Sequence, residues 1–238
     1  PLLPSPFMFS TQPTPYVGID TTLGYTFLPG SFKITYANGF AFGATQNRER
    51  HRVVDDTISD TEPQVLLMGC SFAYGQGVND TQTMAYYLQQ KEKGYKIQNY
   101  AVGGYGTVQQ CLQLQAVLAQ KKHPEVVVFT YASFHHERNA GSRKYIKMMA
   151  FGSGNQANAI RIPYWNNKNQ LCYRSINYPL LNLCRISVLV NTTDDLVNKT
   201  LFEEEKPKGN NAKDPKTQRR KEGRRKSKTK NLLPTKKG

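Results

Sequence analysis

Three short segments carry residues able to do acyl chemistry. The first, Gly69-Cys70-Ser71-Phe72-Ala73-Tyr74-Gly75-Gln76-Gly77-Val78, sets a serine just past an apolar run and among glycines. A serine so placed exposes its hydroxyl as a nucleophile, while nearby backbone N–H groups face the point where an oxyanion develops. The second, Asn99-Tyr100-Ala101-Val102-Gly103-Gly104-Tyr105-Gly106-Thr107, has glycines that permit close backbone approach, and Gly104 can offer an N–H to the same point. The third, Ser133-Phe134-His135-His136-Glu137-Arg138-Asn139, is a dense polar cluster behind another apolar run.

Plainer readings stand beside these. Ser71 can close a tight turn or cap the helix near Asp80, and residues 103–106 can shape a turn or cradle a phosphate. No GxGxxG is present, so a dinucleotide site is disfavoured. His135 and His136 are adjacent and rarely could both face one ion, so neither a metal nor any other cofactor is expected. His51 reads as a loop residue and His123 as a helix-terminal one. Tyr164 and Trp165 suit stacking on a sugar, though aromatics packed under a loop are commoner.

The elements that must hold these segments follow from periodicity. Val65–Met68, Lys96–Val102 and Glu125–Tyr131 read as strands, and Asp80–Lys93 and Thr107–Lys122 as helices. In the second helix, Val108, Cys111, Leu112, Gln115, Leu118 and Ala119 form the expected buried stripe, with Val117 at its margin. Strand, helix, strand, helix, strand with uninterrupted apolar strands argues for an α/β fold around a parallel sheet covered on both faces. Ligands of such sheets bind at the carboxyl ends of the strands, where all three segments fall. Residues 1–60 read as a β-rich lead-in with short alternating pieces at Phe32–Tyr36 and Phe40–Phe42, and show no evident chemistry. Tyr178–Asn198 suits a helix, although Ile186–Val190 alone suits a strand.

Gly69-Cys70-Ser71-Phe72 followed by Gly75-Gln76-Gly77-Val78 resembles the nucleophile block of SGNH/GDSL-type hydrolases, and Asn99–Thr107 resembles that family's second block. The similarity runs from about Gly24 through Asn139 and more faintly to Asn198. The resemblance implies a flavodoxin-like three-layer α/β/α sandwich that hydrolyses acyl or acetyl esters of small molecules or carbohydrates. It implies Ser71 as nucleophile, with the N–H groups of Ser71 and Gly104 as oxyanion donors. The family's third block supplies an asparagine donor; here His135, His136 or Asn139 falls at that place. Cys70 replaces the usual aspartate. The family's base block, Asp-x-x-His, is absent: Asp194 and Asp195 have no histidine three positions on, and none lies beyond His136. The expectation is an incomplete hydrolase-like domain at 61–205 whose end is replaced by an unrelated tail, with a substitute histidine as the lesser alternative. A catalytically inactive binding domain is the rival function. Periplasmic, extracellular and cytoplasmic locations all fit the resemblance, and no oligomeric state is set.

Composition bounds the rest. With 238 residues and 38% hydrophobic content the chain can bury a core. Its net charge of +15 is uneven: residues 206–238 hold fourteen Lys/Arg against two Asp/Glu, leaving about +3 for everything before them. That basic segment, without aromatics and nearly without apolar residues, reads as a disordered tail. Nucleic acid is disfavoured as a partner except through it. Apolar runs are too short for a membrane span. Cys70, Cys111, Cys172 and Cys184 lie too far apart for CxxC motifs.

Overall fold

The computed structural model describes residues 9–55, 57–120, 123–153, 159–176, 183–184 and 187–202. The chain divides into two compact units, residues 1–198 and 199–238. The first is described below; of the second only 199–202, the end of a helix, falls among the described residues, so the basic segment at 206–238 lies outside them.

The parallel sheet has three strands: β6 (Gln64–Met68) in the centre, β7 (Lys96–Asn99) on one side and β8 (Val126–Phe129) on the other. The chain leaves β6 for β7 and then crosses back past β6 to β8, so the crevice between the carboxyl ends of β6 and β8 is the topological switch point. Period-two alternation explains the continuous apolar run of β6. Val65 and Leu67 enter one core cluster, whereas Leu66 and Met68 enter another with Tyr100, Val117, Leu114 and Val127.

Before this sheet lie β1 (Phe9–Gln12), β2 (Val17–Asp20), β3 (Gly24–Phe27), β4 (Gly30–Tyr36) and β5 (Ala41–Gln46), all paired antiparallel. Arg52 bridges Gln46 on one side and Asn99 on the other, and so connects the β1-β4-β5 sheet to the parallel strands. Tyr16, Phe27, Phe32, Ile34 and Phe42 share one core cluster with Val65, Leu67, Ala73 and Tyr74. Among the described strands the parallel pairing is thus confined to three; the fold is mixed α/β rather than mostly parallel, because the Gly- and Pro-rich start of the chain turns back in short hairpins.

The helices are α1 (Ser71–Tyr74), α2 (Met84–Lys91), α3 (Thr107–Ala119), α4 (His135–Asn139), α5 (Arg143–Ser153) and α6 (Val188–Phe202), with a 3-10 turn at Asp80–Gln82. A hairpin of β9 (Arg161–Trp165) and β10 (Leu171–Ser175) follows α5. The ambiguity near residue 190 resolves as helix: the Lys147 ammonium lies 2.8 Å from Asp194 and 2.6 Å from Asp195, binding α6 to α5.

The expected stripe of α3 is corrected. The buried residues are Val108, Gln109, Gln110, Gln113 and Val117, whereas Cys111, Gln115, Leu118 and Ala119 are exposed. Hydrogen bonds turned the helix away from its hydropathic face: Gln109 Nε2 donates to Leu23 O at 2.9 Å, Gln109 Oε1 accepts from Gly106 N at 3.0 Å, and Gln113 Nε2 donates to Tyr100 O at 3.1 Å.

Candidate active site

Ser71 is the first residue of α1, immediately past β6, and is half-buried. The turn closes on its carbonyl, which accepts from Gly75 N at 3.1 Å and Gln76 N at 2.9 Å, with Gly75 in the left-handed region at φ 82°. Gly69 permits the tight entry, since a Cβ there would lie 2.0 Å from Thr130 Oγ1 and 2.6 Å from Ala73 Cβ. The Ser71 hydroxyl hydrogen-bonds nothing among the described residues and caps no helix. Its backbone N–H is likewise without an acceptor among them, as expected at a helix start.

The segment after β7 comes close to this serine. A Cβ on Gly103 would lie 3.9 Å from Ser71 Cβ and 3.2 Å from Gln76 Oε1. Three buried tyrosines fix the glycines. Tyr25 Oη donates to Gly103 O at 2.7 Å, Tyr145 Oη donates to Gly104 O at 2.9 Å, and Tyr105 Oη donates to Tyr25 O. Burial pushes all three phenols above their ordinary range, so they remain protonated donors. With both glycine carbonyls held, the N–H of Gly104, at φ +88°, has no acceptor among the described residues.

The segment after β8 forms the third wall. Phe134 meets Phe72 edge to face at 5.7 Å, and the Arg138 guanidinium lies 4.3 Å from the Phe134 ring centroid while Nη1 donates to Tyr105 O at 2.8 Å. His135 is fully buried, edge-on to Tyr131 and Phe134, and neither ring nitrogen has a partner. His136 is exposed. Asn139 is turned towards α3, where its Oδ1 accepts from Val108 N at 3.2 Å.

Burial first, and the Arg138 charge second, lower the His135 pKa from about 6.5 to about 4. The unfolded chain then binds the extra proton, so the stability from a neutral His135 is complete above pH 6.5 and is lost as pH falls towards 4. Unfolding free energy is expected to drop by about 2 kcal/mol between about pH 7.5 and about pH 5 on this account. Urea titrations of the protein and of His135→Asn at both values check it; the variant should lose most of that difference.

A residue without a signal in the sequence completes the site. The Arg52 side chain is 0% exposed and makes hydrogen bonds to the loop that follows Ser71. Asn99 assists, donating from Nδ2 to Ala73 O at 3.1 Å. One arginine among three, with Arg48 and Arg50 just before it, is unremarkable in sequence; only its strand-like pairing between Gln46 and Asn99 distinguishes it.

A cleft of about 400 Å³ lined by Asp20, Glu49, His51, Tyr100 and Gln113 includes neither Ser71 nor Gly104. Burial and the Glu49 charge raise its tyrosine, Tyr100, to about 12. Among the described residues no group of three His, Cys, Asp or Glu is arranged to hold a metal, the cysteines are free, and no helix is long and apolar enough to cross a membrane.

No family model matches the sequence, and no curated protein matches it. Among solved structures the chain is similar to the crystal structure of TesA, with 22% identity and a TM-score of 0.28 over 37% of this chain and 50% of that one. The match therefore spans half of that chain's length. Overlap this slight carries no argument about activity, and the geometry at Ser71 stands by itself.

Proposed function

We propose that this chain is an SGNH-type ester hydrolase domain, flavodoxin-like in its parallel part, with Ser71 as nucleophile. What carries the reading is the convergence on Ser71 of segments following β6, β7 and β8, with the residue order of the two SGNH-like blocks. Ser71 Oγ attacks the acyl carbonyl, and the N–H groups of Ser71 and Gly104 hydrogen-bond the tetrahedral oxyanion. From the segment after β8 the further donor is His136 or Asn139, His135 being fully buried. The Ser71 hydroxyl proton ends on the departing alkoxide, which leaves as the alcohol, and water then hydrolyses the acyl-enzyme to a carboxylic acid, returning a proton to Ser71 Oγ. The substrates are small-molecule or carbohydrate esters.

A second reading, a binding domain without turnover, is favoured by one observation: no imidazole hydrogen-bonds Ser71 among the described residues. Hydrolysis of p-nitrophenyl acetate by the protein and by Ser71→Ala separates the two. Turnover that Ser71→Ala reduces to the buffer background supports the hydrolase. Turnover equal in both proteins, or none in the folded protein, favours the binding domain.

A further inference from the structure

We infer that Arg52 is the positioning residue of the Ser71 turn, so that the antiparallel lead-in is part of the catalytic machinery; this rests on Ser71 being the nucleophile. Every N–H of the guanidinium is used. Nε donates to Asp80 Oδ1 at 2.9 Å, Nη1 to Tyr74 O at 2.9 Å and Gly75 O at 2.6 Å, and Nη2 to Gly43 O at 3.0 Å and Val78 O at 2.6 Å. Three of these five acceptors are carbonyls of the segment running from Ser71 to Val78. Its guanidinium also lies 4.7 Å from the centroid of the Tyr74 ring.

The connection to the nucleophile is two bonds long. Arg52 fixes the peptide groups at Tyr74 and Gly75, and the N–H groups of Gly75 and Gln76 in turn bond Ser71 O. That fixes the plane of the peptide after Ser71 and with it the start of α1, from which both the hydroxyl and the Ser71 N–H project. A planar fork is required to reach carbonyls on several sides at once; an ammonium at the same place has three donors and no fixed plane. Space is matched to the fork as well, since a Cβ on Gly75 would lie 3.2 Å from Arg52 Nη1 and 2.8 Å from Thr83 Cγ2. The far side of the guanidinium binds the lead-in through Gly43 O. Asp80, whose carboxylate also accepts from Thr45 N at 3.1 Å, supplies the counter-charge.

The test is the rate at which a fluorophosphonate labels Ser71 in the full chain and in Arg52→Lys, resolved into the limiting rate and the half-saturating concentration, each per folded molecule. The limiting rate is expected to fall about tenfold or more while half-saturation stays within about threefold, the pattern of a displaced nucleophile. In Arg52→Ala, millimolar guanidinium should restore part of the rate and equal urea should not. Labelling per folded molecule that matches the unaltered protein overturns the inference. If the unaltered protein is not labelled at Ser71, it is the hydrolase reading that fails, and the positioning is then read by amide hydrogen exchange. Exchange at Gly75 and Gln76 should quicken about tenfold in Arg52→Lys relative to the β9–β10 amides. If Arg52→Lys does not fold, Asp80→Asn must quicken the same two amides, and unchanged protection there overturns the inference.

Discussion

Arg52→Met is expected to destabilise the protein by roughly 3–5 kcal/mol, as removal of one partner from a buried ion pair commonly does. Methionine fills much of the volume, so the loss is in polar satisfaction rather than packing. The carbonyls of Gly43, Tyr74, Gly75 and Val78 lose the Arg52 donors together, with Tyr74 O keeping a 3.5 Å bond from Asn99 Nδ2 and Gly75 O a 3.3 Å bond from Val78 N, and the Asp80 carboxylate, 26% exposed, keeps only its bond to Thr45 N and water. Against a total stability of roughly 5–15 kcal/mol, the change is enough to populate unfolded chains at growth temperatures. For a chain of this size the melting temperature should fall by roughly 6–20 °C, followed by far-UV circular dichroism. A change under about 1 kcal/mol would mean that water satisfies those carbonyls as well as Arg52 does.

The second large effect is at Gly104. An alanine there must adopt φ +88°, and its Cβ would lie 2.3 Å from Tyr25 Oη. Left-handed backbone costs roughly 1–2 kcal/mol for a residue with a Cβ, and overpacking typically adds roughly 1–3 kcal/mol. The phenol cannot simply retreat, because it is buried, donates to Gly103 O and meets Tyr105 edge-on at 5.3 Å. Moving the glycine instead withdraws the Gly104 N–H from the oxyanion, for which a loss of about 10²–10³ in Ser71 acylation rate is expected. Thermal melts and acylation kinetics of Gly104→Ala and of Gly104→Ala with Tyr25→Phe separate the effects. The second substitution should recover part of both stability and rate by relieving the steric clash, the remainder staying lost because the alanine keeps φ +88° and Gly103 O loses the Tyr25 donor. Equal stability and rate in Gly104→Ala and the unaltered protein would remove Gly104 from the site.

What could be read from the sequence was local. The run Val65–Met68 is apolar on both faces because β6 is the central strand, and Ser71 follows it within one turn, so run and serine are adjacent in sequence and space. The glycines at 103 and 104 announced a close approach in the same way. What escaped were bonds from side chains to distant carbonyls, which have no period. Gln109 and Gln113 chose the buried face of α3 by reaching Leu23 O and Tyr100 O, against its hydropathy. Arg52 reached carbonyls more than twenty positions away, in a lead-in that otherwise looked chemically silent. Asn139 lies within a cluster that reads as one unit, yet its carboxamide oxygen meets Val108 N while His135 is sealed from solvent. The charge of +15 gave no guide to the three strand ends, because its excess lies after residue 205, outside the described residues.

Peptide mapping after reaction with a fluorophosphonate asks directly whether Ser71 is an activated nucleophile. One adduct, on the peptide carrying Ser71 and absent from folded Ser71→Ala, is the predicted result. A folded protein that takes up no label, or takes it up elsewhere and equally in Ser71→Ala, would contradict the account.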